Sequence, residues 1–351
     1  MASTDWHTDD YPELRSGPPW VTEEMVAAQP AAVRALLDSP PEGVAPVAAA
    51  IAEEPVCVVG CGTSEHGAMA IAALLGEALG GGWPPRAVSR QSLDAVERPQ
   101  SGGLCIGISH DGGTRATTLA LEAAAARGAT TALVTNRPGG SASGPAQHLI
   151  VTPVHDDSWC HTVAYTSSIA VGAALARELG LEGVDGERAE AVLRAGIERP
   201  PAAGALSGAQ RVLTTGTGLD LITARELALK LAEGARVPTA ALQLETLLHG
   251  HLAGEDSRTA AVLVESDPAA SRIERRAAMA AAALGEIGMP VLNLVPADEG
   301  LRGAVERLLA GAAALQTLTL ALAEARGVNP DLIRREEEPY RRAGSVAEGD
   351  W

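Results

Sequence analysis

In the segment ARELALKLAEGARVPTAALQLETLLHGHLAG, Glu226, Lys230 and Glu233 fall at i, i+4 and i+7, so a helix through them carries all three on one face. Two carboxylates around one ammonium form either a surface ion-pair ladder or a carboxylate held ready for proton transfer. Lys230 is the only lysine among 27 basic residues, which singles the position out. Downstream, His249 and His251 are spaced for a strand or loop and not for the helical His-Glu-x-x-His zinc arrangement, so no metal site is expected. A carboxylate and an imidazole converging on a sugar carbonyl would suit the movement of a proton between adjacent carbons.

Two further loops offer neutral donors. Cys61, Gly62, Thr63 and Ser64 follow one apolar run, and Ser109, His110, Asp111, Gly112, Gly113 and Thr114 follow the next. Glycines permit close backbone approach and hydroxyls can donate to an oxyanion. Either loop alone reads as an ordinary cap or turn; two in tandem point to a ligand. GCGTSEHG lacks the third glycine of a dinucleotide fingerprint, and no Gly-Lys-Ser/Thr exists for a nucleotide phosphate loop, so no organic cofactor is expected. Cys61 sits in the first of these loops, although a small filler at a strand end is the better reading of a cysteine there. Cys160 and His161 lie near the exit of a later strand, where they could face the same pocket.

These loops need strands and helices to position them. Apolar runs at 55–62, 104–109, 131–136 and 149–153 read as buried strands, with helices at 23–37, 64–79, 117–128 and 166–179. The plan repeats: strands at 211–218, 259–266 and 290–296, and helices at 221–234 and 275–288. An offset of 156 residues lays Gly60 and Gly62 on Gly216 and Gly218, and Ile106–Asp111 on Val262–Asp267. One offset serving two strand ends argues for internal duplication. The reading is α/β, two tandem doubly wound parallel-sheet domains. Its divisions are an arm and helix (1–38), a first domain (39–195), a Pro/Gly-rich linker (196–208), a second domain (209–326) and a tail (327–351).

Composition narrows the partners. Forty-four acidic against 27 basic side chains leave a formal charge of −17, which repels nucleic acid and acidic lipid surfaces. The N-terminus carries acids and prolines where a secretory signal carries a basic start and an apolar run. The apolar stretches are Ala-rich and interrupted by charge, so no membrane span is expected. Four cysteines, Cys57, Cys61, Cys105 and Cys160, read as reduced thiols of a cytoplasmic protein.

Taken together, CGTS after a strand, a Ser-x-x-Gly-x-Thr loop after the next, RELALKLAEG and a later Glu-x-x-x-His-Gly resemble the sugar isomerase (SIS) double-domain family. The motifs are similar to those of the isomerase half of glucosamine-6-phosphate synthase and of related sugar-phosphate deglycases and deaminases. The resemblance runs from about Met25 to the GVNPDLIRR stretch and implies a flavodoxin-like fold for each half. It implies that Thr63, Ser64, Ser109, His110, Asp111 and Thr114 line a sugar and phosphate pocket. It also implies that Glu233 is the base between C1 and C2, with Lys230 and Glu226 in support. His249 would open the sugar ring from across a homodimer interface.

Three departures qualify the resemblance. The family has serine at the position of Asp111, and a carboxylate there repels a phosphate: the ligand is unphosphorylated at that end, or Asp111 takes an amine or hydroxyl, or it turns away. The tail, NPDLIRREEEPY, lacks the family's lysine, leaving Lys230 as the only candidate for a Schiff base. No glutaminase domain precedes the motifs. The expected activity is therefore aldose–ketose isomerisation, deamination or deglycation of an amino sugar or other sugar derivative. A non-catalytic sugar sensor and a subunit of a sugar-modifying complex are the rival readings.

Overall fold

The structure, a computed structural model, describes residues 6–8, 11–51, 54–266, 271–298 and 300–349. After an extended arm come α1 (Val21–Asp38) and α2 (Val44–Ala50), then β1 (Val56–Gly60) and α3 (Thr63–Ala78). Next are β2 (Ala87–Gln91), α4 (Ser92–Glu97), β3 (Leu104–Ile108), α5 (Arg115–Ala125), β4 (Thr130–Thr135) and β5 (His148–Val151). The helices α6 (Val163–Glu178) and α7 (Gly186–Glu198) lead to the second half. There β6 (Arg211–Gly216), α8 (Leu219–Gly234), β7 (Thr239–Gln243) and α9 (Leu244–Leu248) precede β8 (Thr259–Val264), α10 (Ser271–Glu286) and β9 (Val291–Leu294). Two helices, α11 (Gly303–Arg326) and α12 (Glu338–Ala347), finish the chain.

All strands pair in parallel, in the orders β2-β1-β3-β4-β5 and β7-β6-β8-β9. The shared order places loops after β1 and β3, and after β6 and β8, side by side at the carboxyl edge of each sheet. β1 and β3 are buried on both faces, as helix-covered parallel strands must be. Val58 and Ile106 face a core that continues into the second half through Leu227 and Leu315, whereas Cys57, Val59 and Cys105 face a separate cluster with Leu121 and Leu133.

The duplication is visible in contacts as well as order. Arg225 Nη1 lies 3.6 Å from Met69 Sδ, and Arg34 Nη1 lies 2.8 Å from Glu190 Oε2. Both pairs are separated by 156 residues, and equivalent residues touch each other only beside a two-fold axis. Of the aligned positions, Asp267 lies outside the described residues.

Two features differ from the sequence reading, and a third, the apolar helix α11, agrees with its expectation of buried helices and no membrane span. The edge strands β2 and β7 were not expected, because AVSRQ and TAALQ are short, half-exposed and carry no apolar run. The helix α7 ends at Glu198, inside the segment read as linker. By length and composition α11 could cross a membrane, with a mean hydropathy of 1.5, yet 78% of its most apolar window is buried, and it packs on α6, α7 and α8. It is the core helix that both halves share.

The tail is tied to the start of the chain. The N-cap residue of α1, Trp20, offers no side-chain acceptor, and Asp331 supplies one from the far end. Its carboxylate accepts from the amides of Val21 (3.0 Å) and Thr22 (2.8 Å) and from Thr22 Oγ1 (2.8 Å).

Candidate functional site

The first loop is set by backbone geometry. A Cβ on Gly60 would sit 2.2 Å from the Ser64 carbonyl oxygen, and Gly62 has φ 58° and ψ −129°, so both positions need glycine. The chain can then bend from β1 straight into α3 and start the helix at Thr63. One turn on, His66 falls on the same face as Thr63.

That face meets α8. Glu226 is fully buried, and its carboxylate accepts from Thr63 Oγ1 (3.3 Å) and His66 Nδ1 (2.6 Å). Lys230 Nζ lies 3.6 Å from Glu226 and 2.6 Å from Glu233 Oε2. Burial alone would raise the Glu226 pKa; Lys230, His66 and Thr63 outweigh it and hold the group below the ordinary carboxylate range. Burial likewise works against the Lys230 charge, and the carboxylates of Glu233 and Glu226 reverse this, holding it above the usual lysine range. Lys230 is thus a fixed ammonium and not a free amine, which removes it as a Schiff-base nucleophile. Glu233, at the solvent end of the ladder, is the member with an accessible side chain, 24% exposed.

Around Glu233 the backbone is strained. Arg236, Ile333 and Arg334 all have positive φ (55°, 42° and 70°), and with Tyr340 they line a groove of about 350 Å³ beside Glu233. Arg236 is held by Glu336 and by Glu337 at 3.3 Å, while Arg334 pairs with Glu337 at 2.8 Å and lies over the Tyr340 ring. This tail segment also borders a larger cleft of about 800 Å³, with Ile333 forming part of both walls. The buried Cys160 packs behind Glu233: a Cβ on Gly234 would lie 3.2 Å from its sulfur.

The second loop, after β3, reaches the larger cleft through Asp111. Ser109 Oγ donates to Thr114 Oγ1 (2.9 Å) and accepts from the Thr114 amide (3.3 Å), which fastens the loop onto itself. His110 Nε2 accepts from the Asp156 amide at 3.0 Å, so the neutral ring carries its proton on Nδ1. Burial and the neighbouring His161 push the His110 pKa down to about 4. Its ring stacks on His155 at 4.9 Å and lies 5.2 Å from His161. The Nδ1 of His161 is buried without a hydrogen-bond partner; its ring borders both the cleft and a pocket of about 20 Å³ under Thr63 and Ser64. Asp111 is exposed and lines the cleft, so it does not turn away.

One nitrogen each of His110 and His155 and an oxygen of Asp111 lie within 4.8 Å of one another, close enough to hold a metal ion. The ring chemistry opposes it. The open nitrogen of His110 is the protonated one, and His155 engages Asn136 Oδ1 through Nδ1 (3.0 Å) and Arg137 Nη2 through Nε2 (3.1 Å). Neither ring presents a free lone pair to a cation.

The fold therefore joins Thr63, Glu226, Lys230 and Glu233 in one polar chain, sets Asp111 on the wall of the neighbouring cleft and His110 on the small pocket, and leaves Ser109 and Thr114 bonded to each other within their loop. Cys61 is half-buried beside Gln91 Nε2, 3.6 Å away. It does not bring His249 to them: that side chain is 75% exposed and pairs with Glu245 at 3.2 Å. The motifs did not flag His66, Asn136, Arg137 or His155. Only His66 had a signal, since it lies three residues after Thr63 on a helix; the others reach the site through tertiary packing.

Residues 52–177 match the family model of the SIS domain. No curated protein sequence matches the chain. Among solved structures, the C-terminal domain of glucosamine-fructose-6-phosphate aminotransferase from Francisella tularensis superposes with TM-score 0.72 at 18% identity, covering 91% of this chain and 99% of that one. Tagatose-6-phosphate ketose/aldose isomerase from Escherichia coli gives 0.71 at 18% identity over 93% and 98%. Glucosamine-6-phosphate deaminase from Thermotoga maritima gives 0.65 at 17% identity over 89% and 96%. The chain shares their fold along nearly its whole length.

Proposed function

For a chain that carries a SIS domain within a two-sheet frame of this kind, we propose an enzyme that moves a proton between adjacent carbons of an open-chain sugar derivative, as aldose–ketose isomerases and amino-sugar deaminases do. The observation that carries this reading is the Glu226–Lys230–Glu233 ladder. It buries a lysine to hold one partly exposed carboxylate in place in the groove that meets the large cleft at Ile333, an arrangement of more use to chemistry than to stability.

In this reading the Glu233 carboxylate takes the proton from C2 of the aldose. The C–H electrons form the C1–C2 double bond and the C1 carbonyl oxygen is protonated, giving an enediol. Glu233 then returns its proton to C1 while the C2 hydroxyl loses its own and becomes the ketone, so no atom is lost and no redox partner is needed. Lys230 keeps Glu233 oriented and offers positive potential to the developing enediolate. In this reading the sugar enters the large cleft, whose wall includes Asp111 and His161, while Thr63 and Ser64 border only the pocket of about 20 Å³ beyond His161, room for a single hydroxyl or water. His249, exposed and paired with Glu245, is the group that a second copy of the chain would contribute for ring opening; an amino-sugar substrate and a homodimer belong to the same proposal.

The test is solvent exchange. In deuterium oxide, sugar incubated with the protein should gain deuterium at the carbon beside the carbonyl, read by NMR. Glu233→Gln should slow this by about 10²–10⁴-fold while leaving the fold intact. Absence of exchange with any hexose, hexosamine or phosphorylated counterpart, or exchange unchanged in Glu233→Gln, overturns the reading.

A further inference from the structure

The charges lining the large cleft are mostly spoken for. Arg15 is held by Glu13 and Glu24, each at 2.8 Å, and Arg335 by Glu348 at 3.2 Å. Asp156 spends its oxygens on Ser158 Oγ (3.0 Å) and on the amides of Thr162 (2.5 Å) and Ala164 (3.1 Å) at the start of α6. Among the described residues this leaves three charged lining groups, Asp111, Asp157 and Arg137, that have no partner of opposite charge and, unlike Asp156, are not used up by hydrogen bonds to the backbone.

Two carboxylates against one guanidinium make this wall net negative. The rest of the loop adds no donor to it: Ser109 and Thr114 bond to each other away from the cleft lining, and the neutral His110 ring faces the small pocket. Arg137 already donates one N–H to His155. A phosphate dianion placed here would meet Asp111 at short range, with a single cation to offset it. An ammonium would meet an open carboxylate whose oxygens have no competing donor among the described residues, and Arg137 would remain for a hydroxyl oxygen.

We propose that this end of the cleft binds an ammonium group, so that the substrate is a sugar carrying an amine, not a phosphate, at the end remote from its carbonyl, with Asp111 as the residue that selects it. The proposal rests on the reading above that the sugar enters this cleft, and it names the class of sugar.

Equilibrium binding tests it apart from catalysis. The full chain carrying Glu233→Gln, to halt turnover, is titrated calorimetrically at low ionic strength with 6-amino-6-deoxyglucose, glucose and glucose 6-phosphate. The amine should bind at least about tenfold tighter than either of the others. Adding Asp111→Ser or Asp111→Asn, changes at an exposed position, should abolish that preference, and Asp111→Ser should improve binding of the phosphate. Tightest binding of glucose 6-phosphate with Asp111 in place, or an amine preference that survives both substitutions, overturns the proposal. If no sugar binds, both this proposal and the functional reading fail. If the amine preference holds while the wild type shows no deuterium exchange, only the functional reading fails.

Discussion

The two halves share a backbone and differ in what they do with it. Gly62 and Gly218 adopt nearly the same turn, φ 58° and ψ −129° against φ 61° and ψ −124°. In the first half the residues after that turn, Thr63 and Ser64, border open space shared with His110. In the second half the residue equivalent to Ser64 is Asp220, and the one equivalent to His110 is Ser266. These two bond directly: the Ser266 hydroxyl donates to Asp220 Oδ1 and its amide lies 3.2 Å from the same oxygen, with Arg307 Nε 3.1 Å from the hydroxyl. The Asp220 carboxylate thus occupies in the second half the place that Ser64 and the pocket take in the first.

The helices that follow the turns diverge in the opposite sense. The positions of Glu226 and Lys230 on α8 correspond to Ala70 and Leu74 on α3, both buried and apolar. One repeat kept an open pocket and an apolar helix, and the other closed its pocket and acquired the ionic ladder.

The largest effect should come from breaking the ladder. Glu226→Gln leaves Lys230 buried with a single carboxylate and gives His66 and Thr63 a neutral amide in place of a charged acceptor, and should cost about 3–5 kcal/mol of unfolding free energy by denaturant titration. A loss under 1 kcal/mol would mean that α3 and α8 are joined by apolar packing alone.

A smaller effect should follow pH on the open side. His110 has a folded pKa of about 4 against an unfolded value near 6.5, so the folded state binds fewer protons between them. Stability should therefore fall as pH drops through that window, by on the order of 3 kcal/mol from this group when both states are protonated. His110→Asn should flatten the profile; an unchanged slope would place the titration elsewhere.

The smallest change concerns the closed side. Asp220→Ala strands the Ser266 donors and should lower stability by about 1–3 kcal/mol, seen as a reduced Tm. Deuterium exchange into sugar should be untouched, because Asp220 lies outside the proposed machinery. A loss of exchange comparable to that of Glu233→Gln would show that the second pocket is functional after all.

Much of the architecture was legible in sequence because its signals are local. Gly60, Gly62, Gly216 and Gly218 fix two turns that tolerate no other residue, and the fully buried strands PVCVV and LCIGI stand out by apolar content. The ladder was legible for the same reason, since helical spacing alone puts Glu226, Lys230 and Glu233 together. The edge strands β2 and β7 were not, because pairing to a neighbour, and not their own composition, makes them strands. Arg137 and His155 likewise carry no pattern that links them to Asp111.

The sequence alone therefore determined the repeat, the glycine turns and which helix face carries charge, each through spacing within one element. Only the tertiary structure decided which charges meet. Glu226 finds Thr63 and His66 160 or more residues away, Asp331 caps a helix more than 300 residues earlier, and Asp111 is left open while Asp220 is not. Long-range pairing of this kind is set by how two sheets pack around a shared core, and no local periodicity encodes it.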